Sequence, residues 1–143
     1  AMDQIKNKKP RVLFVSLGES DDFAHDGDYD QVLYAIRRND DFIRRMWELM
    51  QSDPQYKDNT NLIVTTDHGR GNIPTDVWRH HSKDLVSSKD IWLAAYGPDI
   101  AAGGEMKETA TIGLNQVAAT VAELLGEDFT KFNPDVGAPI PLG

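Results

Sequence analysis

The feature that most constrains this chain is an apolar, β-branched run that ends abruptly at two metal-ligating residue types. Residues 61–71 read Asn-Leu-Ile-Val-Thr-Thr-Asp-His-Gly-Arg-Gly, so Leu62, Ile63 and Val64, extended by Thr65 and Thr66, give way at once to Asp67 and His68. A short apolar run bounded by glycine suits a buried strand of a parallel sheet. In open α/β sheets ligands sit just beyond the carboxyl ends of the strands, where this pattern puts Asp67 and His68. A carboxylate beside an imidazole suits a divalent transition metal such as zinc or manganese. Gly69 and Gly71 allow a sharp turn and a close backbone approach to a ligand. The same residues also fit a plain strand end followed by a polar turn.

A second β-type run lies upstream. Val12, Leu13, Phe14, Val15, Ser16 and Leu17 follow a basic lead-in of Lys6, Lys8, Lys9 and Arg11 and stop at Gly18. Beyond it Glu19, Asp21, Asp22, His25, Asp26, Asp28 and Asp30 crowd together. So many ligating groups repel one another unless cations or donors offset them. Asp21 and His25 stand four apart, so one helical turn puts both on one face. The alternative is an acidic solvated loop capping the next helix, with Asp30 as N-cap. Residues 31–51 then carry Val32, Ile36, Ile43, Met46, Trp47 and Met50 at helical spacing, with Leu33, Tyr34, Ala35, Phe42 and Leu49 widening the apolar face. This predicts one long amphipathic helix, kinked near Asn39 and ended by Asp53-Pro54. Strand, acidic loop, helix and strand make a βαβ unit with a right-handed crossover.

After Gly71 the segment 72–88 has no clear period and reads as an irregular loop with a turn of helix, holding Trp78, His80, His81 and Lys83. Residues 91–96 predict a third strand and residues 111–125 a second amphipathic helix, closed by Gly126. The tail from Glu127 contains Pro134, Pro139 and Pro141 and reads as extended. The whole chain reads as a single domain, residues 1–143.

Taken together the polar clusters share an order: a strand followed by Asp21-x-x-x-His25 with Gly27 close behind, a strand ending Val64-Thr65-Thr66-Asp67-His68-Gly69, and His81 ahead of Ile91-Trp92. This order resembles the carboxy-terminal part of the alkaline phosphatase superfamily, which includes phosphodiesterases, phosphomutases and sulfatases. The resemblance implies a three-layer α/β/α fold with a mostly parallel sheet, incomplete here because the chain is the carboxy-terminal part of a larger metal-dependent hydrolase. It implies two divalent metal ions, zinc first and manganese second. Asp21, His25 and His81 would hold one, and Asp67 and His68 the other. His80 competes with His81 and Asp22 with Asp21; the family spacing favours His81 and Asp21. Arg70 could reach a substrate oxyanion as a planar fork, or pair with one of the many acids. Glu19 reads as a loop acid near enough to hydrogen-bond a ligand.

The activity so implied is hydrolysis or transfer of a small-molecule phosphate ester. The nucleophile of this superfamily comes from the amino-terminal half, and Ser16 and Ser20 lie too close to Asp21 to serve. No catalytic nucleophile is therefore assigned within the chain. A sulfatase is the rival within the superfamily; sulfatases favour a single calcium held by oxygen ligands, and three histidine ligands point away from that. The rival from another class is a non-catalytic metal-binding or interaction module.

Composition narrows the partners. A net charge of −8 over 143 residues leaves no broad basic face for nucleic acid. No run of about 18 apolar residues is present, so no segment here reads as membrane-spanning. The absence of cysteine rules out thiolate metal sites. It fits either side of a membrane, and only the family resemblance leans outside the cytoplasm. A sheet without its amino-terminal strands should expose an apolar edge, so the chain is expected to self-associate or to be shielded by its own tail.

Overall fold

A computed structural model of the chain describes residues 1–106 and 111–142. Its helices are α1 (Met2–Lys8), α2 (Glu19–Asp26), α3 (Tyr29–Ser52) and α4 (Val117–Leu124), and its strands are β1 (Leu62–Thr65) and β2 (Leu93–Tyr96). The α/β character read from the sequence is present. Among the described residues, no helix is long and apolar enough to cross a membrane.

Helix α1 lies where a solvated basic lead-in was expected. Its Ile5 is buried with Met46 and Met50 of α3, so one apolar residue turns a charged segment into a lid on the core. Lys9 closes α1 in a left-handed conformation (φ 51°) and pairs with Asp53, just past the end of α3. The Tyr56 hydroxyl donates to the Pro10 carbonyl at 3.1 Å and fixes the same corner.

Helix α3 forms as expected and runs as one helix through Asn39. Its N-cap is Asp28 rather than Asp30, the Asp28 carboxylate accepting from the Gln31 amide at 3.2 Å. The reason lies one residue upstream. Gly27 takes φ 80°, with its amide bonded to the Ala24 carbonyl and that of Asp28 to the Phe23 carbonyl. This Schellman closure ends α2 at once, so the chain re-enters helix at Tyr29. The carboxyl half of α3 packs into the core, with Trp47 edge-on to Tyr96 of β2 at 4.9 Å. The amino half differs from expectation, because Leu33, Tyr34 and Ile36 are half exposed.

The sheet is where sequence and structure part. Among the described residues it has two strands, paired antiparallel with Leu62 opposite Tyr96 and Thr65 opposite Leu93. A mostly parallel three-layer sheet is not seen. Parallel neighbours need a crossover, usually a helix, on the sheet face. The chain between β1 and β2 offers only short 3₁₀ turns at Thr75–Arg79 and Val86–Lys89, so it returns alongside β1 in the opposite sense. Residues 12–17 join no ladder among the described residues, and the expected βαβ unit therefore lacks its first strand.

Residues 111–125 are helical over a shorter span than expected. Gln116 folds back to accept from the Gly113 amide at 2.8 Å, a 3₁₀ turn follows at Leu114–Gln116, and α4 begins at Val117. Its end matches expectation. The amides of Gly126 (φ 77°) and Glu127 bond the carbonyls of Glu123 and Ala122, a second Schellman closure. The proline-bearing tail does act as a cover. Ile140 is buried and donates its amide to the equally buried Thr120 hydroxyl at 2.8 Å. The tail shields α4, however, and leaves residues 12–17 open.

Candidate metal centre

Strand β1 delivers Asp67 and His68 directly beyond its carboxyl end. The Thr65 hydroxyl donates to the Trp92 carbonyl at 2.8 Å and closes the mouth of the strand pair. Gly69 and Gly71 are needed here for close approach, not for an unusual φ. A β-carbon on Gly69 would lie 2.2 Å from the Ser87 carbonyl oxygen, and one on Gly71 2.5 Å from a Val77 methyl. The backbone that approaches is thus the chain's own 75–90 segment rather than a ligand. The Gly69 amide donates to the Ser88 carbonyl at 2.9 Å and the Gly71 amide to the His80 carbonyl at 3.0 Å. These contacts lay the His81 ring flat on His68, with centroids 3.7 Å apart and planes 17° from parallel.

Helix α2 closes the site from the other side. Asp21 and His25 sit one turn apart on its inner face, His25 Nε2 lying 3.5 Å from Asp21 Oδ2. The 3₁₀ turn at Thr75–Arg79 docks on this helix. Arg79 lays its guanidinium across Gly27, where a β-carbon would be 2.4 Å from Cζ, and Trp78 meets Tyr29 edge-on at 5.4 Å. His81 Nε2 ends 3.1 Å from His25 Nε2 and 3.6 Å from Asp21 Oδ1. Ligand atoms of Asp21, His25 and His81 all lie within 4.8 Å of one another.

His68 adds a fourth donor and third nitrogen, its Nε2 3.6 Å from Asp21 Oδ1. Its Nδ1 lies 2.9 Å from the Gly69 carbonyl. A carbonyl only accepts, so Nδ1 carries the proton and Nε2 keeps its lone pair for a cation. His81 is held below the ordinary histidine pKa, chiefly by burial and then by the nearby basic groups His68, His25 and Arg70, against the opposing pull of Asp21. A lowered pKa keeps that imidazole neutral, the form that binds metal.

The model of the Metalloenzyme superfamily matches residues 1–128. The chain belongs to that superfamily. The alkaline phosphatase-like resemblance read from Asp21-x-x-x-His25 and Asp67-His68-Gly69 is thereby sustained. A similar protein is the 2,3-bisphosphoglycerate-independent phosphoglycerate mutase of Aliarcobacter butzleri (strain RM4018), 25% identical over an aligned length of 129 that covers 87% of this chain. The chain spans 23% of that relative's length. No solved structure matches the chain.

Membership of a metalloenzyme superfamily implies a divalent cation, and the donor spacing can be tested against one. A tetrahedral zinc with bonds of about 2.0–2.1 Å keeps its donors roughly 3.3 Å apart. His25 Nε2 and His81 Nε2 stand 3.1 Å apart, and the Asp21 carboxylate approaches them through different oxygens, Oδ2 at 3.5 Å from His25 and Oδ1 at 3.6 Å from His81, so each pair lies near that value. One carboxylate and two imidazoles are also the right donor chemistry.

The remaining sequence candidates lie differently. Asp67 stands at the rim, its side chain 88% exposed, with one oxygen bonded to the His68 amide and the other 3.8 Å from His68 Nε2. His80 is exposed, its ring centroid 6.1 Å from that of His25, while its carbonyl serves Gly71. Asp22 is exposed, and Glu19 faces Arg38 of α3 at 3.7 Å. Arg70 turns inward and meets the Asp21 carboxylate. That contact had no signal in the spacing, since residues 21 and 70 lie on separate elements; only the glycines flanking Arg70 hinted at a tightly held backbone.

Proposed function

We propose that this chain carries the metal-ligating part of a divalent-metal phosphotransferase or phosphoester hydrolase. The observation behind this reading is the convergence of Asp21, His25 and His81, from a helix and a distant loop, with their ligand atoms within 4.8 Å of one another. Asp67 and His68 would contribute to a second ion beside the first. Two cations about 4 Å apart clamp the attacking and leaving oxygens of an in-line displacement at phosphorus. Within this chain Asp21, His25 and His81 hold and orient, His68 presents Nε2 with its proton kept on Nδ1, and stacked His68 and His81 keep water from one side of the site. The substrate is a small phosphate ester, and the nucleophile is none of the residues named here. Membership of the superfamily and similarity to a named mutase support group transfer, with hydrolysis as the neighbouring outcome.

Calorimetric titration with zinc and with manganese tests the ligand set. Asp21→Asn, His25→Ala and His81→Ala should each weaken binding at least tenfold, whereas His80→Ala should leave it within about twofold. Binding that survives His81→Ala but not His80→Ala would move the assignment by one residue. Cleavage of p-nitrophenyl phosphate, its bis-ester and a sulfate ester by the full-length protein then separates the phosphate, sulfate and non-catalytic readings.

A further inference from the structure

Arg70 is a charged side chain at the centre that cannot be a ligand, and three hydrogen bonds hold it there. Its side chain is 23% exposed. One guanidinium nitrogen donates both to Asp21 Oδ1 and, at 3.2 Å, to the Asp21 carbonyl. The other donates to the Arg79 carbonyl at 3.1 Å. On either side, Gly69 and Gly71 hold the backbone against the Ser87 carbonyl and the Val77 side chain. A rigid fork thus spans the two segments that carry the ligands: α2 with Asp21 and His25, and the turn that leads into His81.

On the metal-site reading above, we propose that Arg70 is the positioning residue of the centre. By occupying Oδ1, which also lies 3.6 Å from His81 Nε2 and His68 Nε2, it steers ligation by Asp21 to one oxygen, Oδ2, which faces His25 at 3.5 Å. Planarity matters more than charge in this role. A guanidinium can serve a carboxylate and two carbonyls at once, whereas an ammonium is a point charge on a flexible stem. Hydrogen bonds to ligating carboxylates are typically worth 10–100-fold in metal affinity. Arg70 then acts on substrate only through Asp21, not as an oxyanion contact.

The test titrates the 143-residue chain with zinc, using Arg70→Lys, Arg70→Gln and Arg70→Ala, and records the visible spectrum of each loaded with cobalt in place of zinc. All three should bind zinc about 10–100-fold more weakly than the unchanged protein. Their cobalt bands should weaken as Asp21 becomes free to bind through both oxygens and the coordination number rises. Lys and Gln serve as well as Ala should the latter fail to fold. If Arg70→Lys matches the unchanged protein in affinity and spectrum, charge alone suffices and the positioning role is overturned. If Arg70→Ala binds more tightly, the guanidinium competes with the ion and the role is likewise overturned. Should the unchanged chain bind no zinc, or bind it equally after His81→Ala, the reading of the centre itself falls. The two failures are thereby distinct.

Discussion

The protonation of His81 ties the site to the stability of the chain. Burial, and after it the basic groups His68, His25 and Arg70 nearby, hold its pKa in the folded state below the reference 6.5, with Asp21 pulling the other way. In the unfolded chain the imidazole takes up its proton first as pH falls. The folded state therefore keeps its full stability above about 6.5 and loses part of it as pH drops toward the folded-state value. Urea denaturation of the metal-free protein between pH 5 and 7.5 should show this slope, and His81→Gln should flatten it. An unchanged slope in His81→Gln would assign the effect to another group. At this scale the sequence was informative wherever chemistry follows from spacing. Asp21 and His25 share a helical face because 3.6 residues make a turn, and Asp67 and His68 follow β1 because the apolar run ends there. Pairing of Arg70 with an acid was one of the two readings the sequence left open; that the acid is Asp21 was not legible, because the contact joins elements whose mutual placement no local pattern encodes.

Among the elements, the contact that aligns His81 is backbone on backbone at Gly69. Gly69→Ala would press a methyl to 2.2 Å from the Ser87 carbonyl and 2.5 Å from that of Asp90, so the 75–90 segment must move. A cost of about 1–3 kcal/mol is expected for such overpacking. Zinc affinity should fall with it, because the segment that moves carries His81. Gly103→Ala, where an added β-carbon meets nothing within 4 Å, is the matched control. Thermal melting and zinc titration of both variants check the pair; equal behaviour would show that the 75–90 segment is pliant. Element types were largely legible: α3, both observed strands and the glycine-closed α4 lie where periodicity and breakers put them. Strand direction was not, because it depends on whether the connection crosses the sheet face, and the 66–92 excursion has too little helix to do so. Helix α1 was missed for a plainer reason. Its one buried apolar residue, Ile5, gives no periodicity to read.

For the molecule as a whole, the apolar surface left open is the larger matter. Residues 12–17 join no ladder among the described residues, Phe14 is 87% exposed, and Leu33 and Ile36 on α3 stand half exposed. Unpaired backbone with such side chains pairs readily with another chain. Sedimentation equilibrium should reveal association that strengthens with concentration, and Phe14→Lys should weaken it severalfold. A strictly monomeric protein at all concentrations would mean that residues 12–17 are protected in solution. The ligand set has one further consequence at this scale. His25 and His81 are 56 residues apart in the chain, yet their nitrogens lie 3.1 Å from each other. An ion bound to both fastens two ends of a long loop in a molecule with a small core and two strands. The cation becomes a variable of folding as well as of chemistry: at a hundred times its dissociation constant it adds about 2.7 kcal/mol to the native state. A chelator then acts on this protein as a denaturant does.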